Sequence, residues 1–377
     1  MRWHCAAGII AALHQLPLHC CTCPEICCPV LPLNPSRRAF GALSAMALVG
    51  GALHAQTTQL APQLTVAVGD RATSAFRHLP LTVALQLDFF RQEGLWVSVR
   101  EFASDALALE AVRQGVAQVC AIGYEHAVCP PPGAPEVRSL VLQGRASQLA
   151  LGVSVRALPR WRTLADLRGG KVGVDALGSL SHAMALVVLA RAGVGPQDVS
   201  YVAVGTGASA MAALRAQRVQ ALCHGDPVME QLESKGELRL LSEARTLGGS
   251  QAVFGGTLPG GCLAAPERFL QQRGADAQAL AYGLVHALKW LQTAGPGDLV
   301  KVVPAADLQG NRGGYLSAFA RLRDTISTDG MMPRDGPATA LRTMASLRNN
   351  AHSLERTDLA RTFTQDFARK AKQRFLV

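Results

Sequence analysis

Aromatic residues are scarce in this 377-residue chain, 5% in all, with four Trp and four Tyr. Charged residues make up only 17%. No basic run is interleaved with Phe or Tyr, so the stacking and neutralising surface that nucleic acid needs is missing, and no nucleic-acid partner is expected. Long apolar runs are missing too. The run Gly41 to Leu53 is about 15 residues with its flanks, too short and too glycine-rich for a membrane span of about 20. Six of the ten cysteines lie within the first 28 residues, and the spacing of Cys20-Cys21-x-Cys23 and Cys27-Cys28 suits no usual zinc pattern. No Ser/His/Asp arrangement or phosphate-loop signature occurs either. Accordingly no catalytic residue is assigned, and no metal or cofactor is expected.

What is present is ample core: 49% of residues are hydrophobic, enough for two domains at this length. The net charge is +10, and +8 remains beyond residue 55. The basic residues are scattered, which suits either solubility or a field that attracts a small anionic ligand. Residues 1–35 do not read as a folded segment, and we expect them to be an artefact of start-site assignment, with the true start near Val30 to Leu33. Ser36-Arg37-Arg38-Ala39-Phe40, the weakly apolar run after it and the small Ala55 look like a twin-arginine export signal cleaved after Ala55. A general secretory signal with a chance Arg pair is the alternative. Either way the mature chain is expected in the periplasm, with no cysteine at the cleavage point to carry a lipid anchor.

The most informative stretch runs from Leu164 to Pro227. Lys171-Val172-Gly173-Val174 is a strand; Gly178-Ser179-Leu180-Ser181 opens a helix that Gly193-Val194-Gly195-Pro196 ends. A second strand, Ser200 to Val204, passes through Gly205-Thr206-Gly207-Ala208-Ser209 into a second helix. A third, Gln220 to Cys223, delivers Asp226-Pro227. Repeated strand, polar turn and helix predict a parallel sheet with ligand sites beyond the carboxyl ends of its strands. Unpaired N–H groups at the helix starts favour an anion, with Ser181 and Ser209 as N-caps in the plainer account.

The order Leu-Arg-Gly-Gly-Lys-Val-Gly-Val, Gly-Ser-x-Ser-His, Gly-x-x-Pro-x-Asp-Val, Val-Gly-x-Gly and Asp-Pro resembles the substrate-binding proteins of ABC importers, of the nitrate, taurine and alkanesulfonate type. The likeness extends over roughly residues 64 to 350. It includes Asp88-Phe89-Phe90-Arg91-Gln92-Glu93-Gly94-Leu95, with Asp88 where the family has Gly, and Gly115 to Gly123, with Gln118 where it has Asp. It also includes Thr328-Asp329-Gly330-Met331-Met332-Pro333. The resemblance implies an α/β, two-lobed periplasmic-binding-protein fold (type II), with parallel-rich sheets, flanking helices and a two-crossing hinge. The lobes are expected as 56–153, then 154–255, then a return of the first lobe at 256–377, after an extension and signal over 1–55. The chain is expected to cross near Val153 and return over Ala252 to Ala265. A basic helix over 352–374 is expected to dock on the first lobe.

The same resemblance implies an anion held in the interlobe cleft by Gly178, Ser179, Ser181, Thr206 and Ser209. Gly123 and Tyr124, and Asp70 and Arg71 in the first ligand loop, are expected to face it from the other lobe. Arg71 is either an anion contact or a solvated loop residue. Asp226 is either an amine contact or a helix cap. His126 is either a contact or a hydrogen-bonded structural residue, and His182 is expected to pack or hydrogen-bond in neutral form. The implied partners are a membrane permease with its ATPase, and a monomer is expected. Two rivals stand beside transport. One is an enzyme of the same fold: desulfinases carry a nucleophilic Cys where this chain has Asp70-Arg71, and pyrimidine synthases a cysteine cluster that here lies only in the extension. The other is a partner of a sensor. Cys120, Cys129, Cys223 and Cys262 are either paired or buried thiols.

Overall fold

Strand alternation and helical runs settle into two five-stranded sheets. The computed structural model describes residues 63–69, 75–308, 310–347 and 357–377, all within one unit, Gln59–Val377. The expected signal, together with Asp70 and Arg71, lies outside the described residues.

The first sheet has the order β2-β1-β3-β10-β4. Its strands are β1 (Gln63–Gly69), β2 (Trp96–Phe102), β3 (Val119–Gly123), β4 (Arg138–Leu142) and β10 (Gly261–Ala265). β1 runs parallel to β2 and β3, whereas β10 is antiparallel to β3 and β4. The second sheet repeats that plan in the order β7-β6-β8-β5-β9. It is built from β5 (Leu149–Ser154), β6 (Lys171–Val174), β7 (Ser200–Ala203), β8 (Ala221–Gly225) and β9 (Leu238–Glu243). β6 is parallel to β7 and β8, and β5 is antiparallel to β8 and β9. This is the expected two-lobed α/β architecture, and each sheet is mixed, with two parallel and two antiparallel pairings.

Sheet membership corrects the crossings. Leu149–Ser154 pairs throughout with the second sheet, so the first crossing lies over 143–148, ahead of the expected Val153. The return lies over 255–260, because helix packing claims Leu247–Phe254 before β10 begins at Gly261. The period-2 pattern explains the cores. On β3, Val119 and Ala121 face a cluster confined to the first lobe, while Cys120 and Ile122 face a cluster that continues through Leu151, Val172 and Cys223 of the second sheet. Cys120, Cys223 and Cys262 are buried thiols.

The helices that position the cleft are α1 (Leu79–Gln86), α2 (Phe89–Gln92), α3 (Asp105–Arg113) and α4 (Glu125–Val128) in the first lobe. In the second they are α5 (Leu180–Arg191), α6 (Gly207–Arg215), α7 (Val228–Ser234) and α8 (Leu247–Phe254). Asp88, where the family has Gly, takes a left-handed φ of 56° just before α2, the conformation glycine adopts freely. Gln118 replaces the family's Asp by accepting the Thr65 N–H through Oε1 at 2.9 Å.

The C-terminal region adds α9 (Glu267–Gln272), α10 (Gly274–Thr293), α11 (Pro296–Val302), α12 (Arg312–Leu322), α13 (Gly336–Ala345) and α14 (Asp366–Phe375). It does not belong to the first lobe alone. α13 packs on α4 and α5, and α12 packs on α7, where Arg321 pairs with Glu233 at 2.7 Å. The basic helix expected over 352–374 is shorter, Asp366–Phe375, after a 3-10 turn at Leu359–Arg361; residues 348–356 lie outside the described residues. It docks on α10, where Lys289 Nζ donates to the Phe375 carbonyl at 2.5 Å. Among the described residues no helix is long and apolar enough to cross a membrane.

Candidate functional site

A parallel strand leaves unpaired groups and a loop at its carboxyl end, and four such ends meet in one cavity of about 570 Å³. Arg77 follows β1, Ser104 and Asp105 follow β2, Glu125 and His126 follow β3, and Asp175 to Ser181 follow β6. Pro130 to Pro132, Leu177, Leu180, Met344 and Leu347 make much of the remaining surface apolar. Both lobes therefore contribute.

The first wall is a cluster of charges. Ser104 caps α3 by accepting the Leu107 N–H, which places Asp105 in the first turn. Asp105 is 5% exposed. Its Oδ1 lies 3.1 Å from Arg77 Nη2, and its Oδ2 accepts the Gly123 N–H at 3.0 Å and lies 3.3 Å from His126 Nε2. Burial alone would raise this carboxyl's pKa, but Arg77, His126 and the Gly123 amide outweigh it and hold the group well below the usual range. His126 shows the reverse balance: burial opposes its charge, and the hydrogen bond and charge of Asp105 carry its pKa above the ordinary value. In Glu125, burial dominates over the nearby His126 and Arg77 and pushes the pKa up.

Two strand-end glycines make room for these acids. A Cβ at Gly69 would stand 2.5 Å from the Asp105 Cα, and one at Gly123 would stand 2.3 Å from Glu125 Oε1. Asp105, Glu125 and His126 each offer a ligand atom within 4.8 Å of the others, the spacing of a cation site. Both Asp105 oxygens already have partners, however, and the Arg77 guanidinium supplies the positive charge. The arrangement fits a metal ion poorly.

The second wall is the start of α5. Ser179 is the N-cap, and its hydroxyl accepts the His182 N–H at 3.3 Å. The same hydroxyl lies 2.7 Å from Asp175 Oδ1 and 3.0 Å from Ser181 Oγ, and Ser181 Oγ accepts the Asp175 N–H at 3.1 Å. Gly178, at φ 85°, gives its N–H to His182 Nδ1 at 3.1 Å. The His182 ring tilts against Tyr201 at 4.5 Å, and burial lowers its pKa, so it packs and accepts a hydrogen bond as a neutral ring. Leu180 and Ser181 belong to the cavity wall, and their N–H groups lie in the first turn, where no intrahelical carbonyl reaches.

The structure thus brings Gly178, Ser179 and Ser181 together in the cavity wall and leaves five other expected residues out of it. Gly123 spends its N–H on Asp105. Tyr124 is fully buried, its hydroxyl 2.6 Å from Thr362 Oγ1, and burial pushes its pKa up. Thr206, not Ser209, is the N-cap of α6, and the exposed Ser209 turns its hydroxyl back to the Val204 and Thr206 carbonyls, each at 2.8 Å. Neither Thr206 nor Ser209 lines the cavity. Asp226 is 1% exposed and acts as the cap: Oδ1 accepts the Glu230 N–H at 2.9 Å and lies 3.4 Å from Arg245 Nη1.

Sequence reasoning missed Arg77 and Asp105, and it placed Glu125 in the cleft-facing stretch Gly123-Tyr124-Glu125-His126 without giving it a role. The available signal was a strand-ending glycine beside an acid, as in Gly123-Tyr124-Glu125, and a Ser-Asp helix start after β2.

The family model described as NMT1/THI5 like matches residues 75–291. The chain belongs to this family. A solved structure from Bordetella bronchiseptica RB50 is 36% identical with a TM-score of 0.76, covering 84% of this chain and 98% of the other. The periplasmic aliphatic sulphonate-binding protein SsuA from Escherichia coli is 19% identical with a TM-score of 0.64, over 81% and 98% of the two chains. The desulfurization enzyme DSZB shares the fold as well, at 16% identity and a TM-score of 0.57, over 83% and 99%. No curated protein sequence matches the chain significantly. This NMT1/THI5-like chain therefore carries the periplasmic-binding-protein fold, which hosts binding proteins and at least one enzyme.

Proposed function

We propose that this protein is the periplasmic solute-binding component of an ABC importer. It captures a small organic acid between its lobes and presents the closed form to a membrane permease with its ATPase. The cavity between the two sheets carries the reading. Its wall joins the open start of α5 to the exits of β1, β2 and β3, so one solute touches both lobes at once. The N–H groups of Leu180 and Ser181 supply donors, with the helix dipole, for one acidic oxygen group. A cavity of about 570 Å³ with Pro130, Leu177 and Met344 in its wall suits a solute with an apolar body better than a bare nitrate-sized ion. Binding across two lobes favours the closed form by differential contact alone, and no bond need be made or broken.

The test is a thermal-shift screen of the purified protein against alkane- and arylsulfonates and carboxylates, with recovery of the ligand afterwards. A binder gains RT ln(1 + [L]/Kd), about 2.7 kcal/mol at a hundredfold excess over Kd, and returns the ligand intact. Consumption of the ligand without any membrane component would place the protein with the enzymes of this fold instead.

A further inference from the structure

Among the described residues, Glu125 is the one cavity-wall acid that combines near-complete burial with an orphaned oxygen. Its residue is 4% exposed, it lines the cavity, and its Oε2 has no hydrogen-bond partner among the described residues. A buried polar atom left in that state costs free energy until something supplies a partner. The groups facing it are Arg77 beyond β1, Asp105 on α3, His126 on its own helix and the Cys262 thiol on β10. Arg77 and His126 are already directed to Asp105, at 3.1 and 3.3 Å. Gly123, which lacks the Cβ that would meet the Glu125 carboxyl at 2.3 Å, keeps the space for that group at the sheet's end.

The wall's charge adds a second constraint. Among the described residues Asp105, Glu125 and Asp175 line it with Arg77 and His126, so with all of these groups ionised negative charge is in excess there. A purely anionic solute meets that surplus unfavourably, whereas a solute carrying its own cation offsets it.

We infer that Glu125 is the receptor for a nitrogen-borne hydrogen-bond donor, and that the solute is bipolar, with its acid group at the start of α5 and an amine at Glu125. This rests on the solute-binding reading above and names the class of solute. Specificity follows from the unpaired oxygen: a solute without the amine leaves Oε2 buried and unsatisfied, and so is discriminated against. Proton linkage follows too. An ammonium group favours the ionised carboxyl, so binding expels a proton wherever Glu125 is protonated in the free protein. Affinity for the amine then rises with pH through the elevated Glu125 pKa and levels off above it.

The experiment measures dissociation constants by calorimetry for ω-aminoalkanesulfonates of about two to four carbons against unsubstituted alkanesulfonates of equal length, on the purified protein and its Glu125→Gln variant. The expected result is at least tenfold tighter binding of an amino compound at neutral pH. In the variant that preference falls to within about threefold, while its melting temperature without ligand stays close to the parent's. The rise of affinity with pH in the unaltered protein is a second readout that needs no variant. Equal binding of the two series, or an unchanged preference in Glu125→Gln, overturns the inference and leaves the solute-binding reading in place. Tight zinc binding that is lost in Glu125→Gln, without any amine preference, also overturns it. Failure of both series to bind overturns this inference; only if the carboxylates of the thermal-shift screen fail as well does the acid-binding reading fall with it.

Discussion

Replacing Asp105 with Asn tests how the first wall of the cleft is held. The change keeps the side chain's shape and an acceptor for the Gly123 N–H, and removes a charge that lies 3.1 Å from Arg77 and 3.3 Å from His126. The Arg77 and His126 side chains are only 16% and 20% exposed. Breaking a buried pair by removing one member costs about 3–5 kcal/mol, because the other charge is left uncompensated. His126 can shed its proton and the amide bond survives, which puts the expectation at the lower end, about 3 kcal/mol. With a urea slope of about 3 kcal/mol/M, the unfolding midpoint falls by about 1 M. The pH dependence is a stronger check. The Asp105 pKa is depressed in the folded state, so its stabilisation is complete above the unfolded value of about 3.9 and is lost as pH falls toward the native value. The gap between parent and variant should therefore narrow by about 1.4 kcal/mol for each pH unit below about 3.9. Urea titrations followed by circular dichroism and tryptophan fluorescence at pH 7, 4 and 3 measure both quantities. A gap under about 1 kcal/mol at pH 7, or one that stays constant down to pH 3, would refute the account of Asp105 as the anchor of Arg77 and His126.

Two further substitutions separate folding roles from binding roles. Tyr124→Phe removes the 2.6 Å contact with Thr362 and should lower stability by about 1 kcal/mol without altering solute affinity; a tenfold loss of affinity in calorimetry would return Tyr124 to the site. Arg245→Met strips the 0% exposed guanidinium from between Asp226, Glu233 and Glu243 and leaves Asp226 buried without its counter-charge. A loss of about 3–5 kcal/mol in urea unfolding is expected, and a neutral or stabilising result would show that Met packing offsets the missing ion pairs.

Most of the fold was legible because the second lobe is written in short, local units. β6, α5, β7, α6 and β8 each carry their own apolar period and their own Gly, Pro or Ser at the ends, so the order of elements can be read directly. The antiparallel strands were harder to place. β5 and β10 carry buried runs with little distinguishing pattern, and what assigns each to a sheet is pairing with residues far along the chain: Ala150 opposite His224, Cys262 opposite Ile122. A local pattern holds no record of that pairing, which is why the first crossing was expected a few residues late.

The site divides along the same line. A helix start such as Gly178 to Ser181 is visible in sequence, and it does stand in the cavity wall, but its visible groups are also near enough in sequence to satisfy one another. Asp175 takes the Ser179 hydroxyl and His182 takes the Gly178 N–H, each within four positions. Hydroxyls and amides that cap their own turn are thus poor guides to what a ligand touches. The turn at Thr206 to Ser209 has the same local chemistry and also closes on itself, through the Ser209 hydroxyl to the Val204 and Thr206 carbonyls, outside the cavity wall. Glu125 is the opposite case. Nothing near it in sequence supplies a partner for Oε2, and only the assembly of β1, β3 and β10 around it removes the water that would otherwise do so. A polar atom that neither its neighbours nor its fold satisfies is better evidence of a missing contact than a cap that is already closed, and for that reason solute recognition is placed on the acid following β3 as well as on the hydroxyls preceding α5.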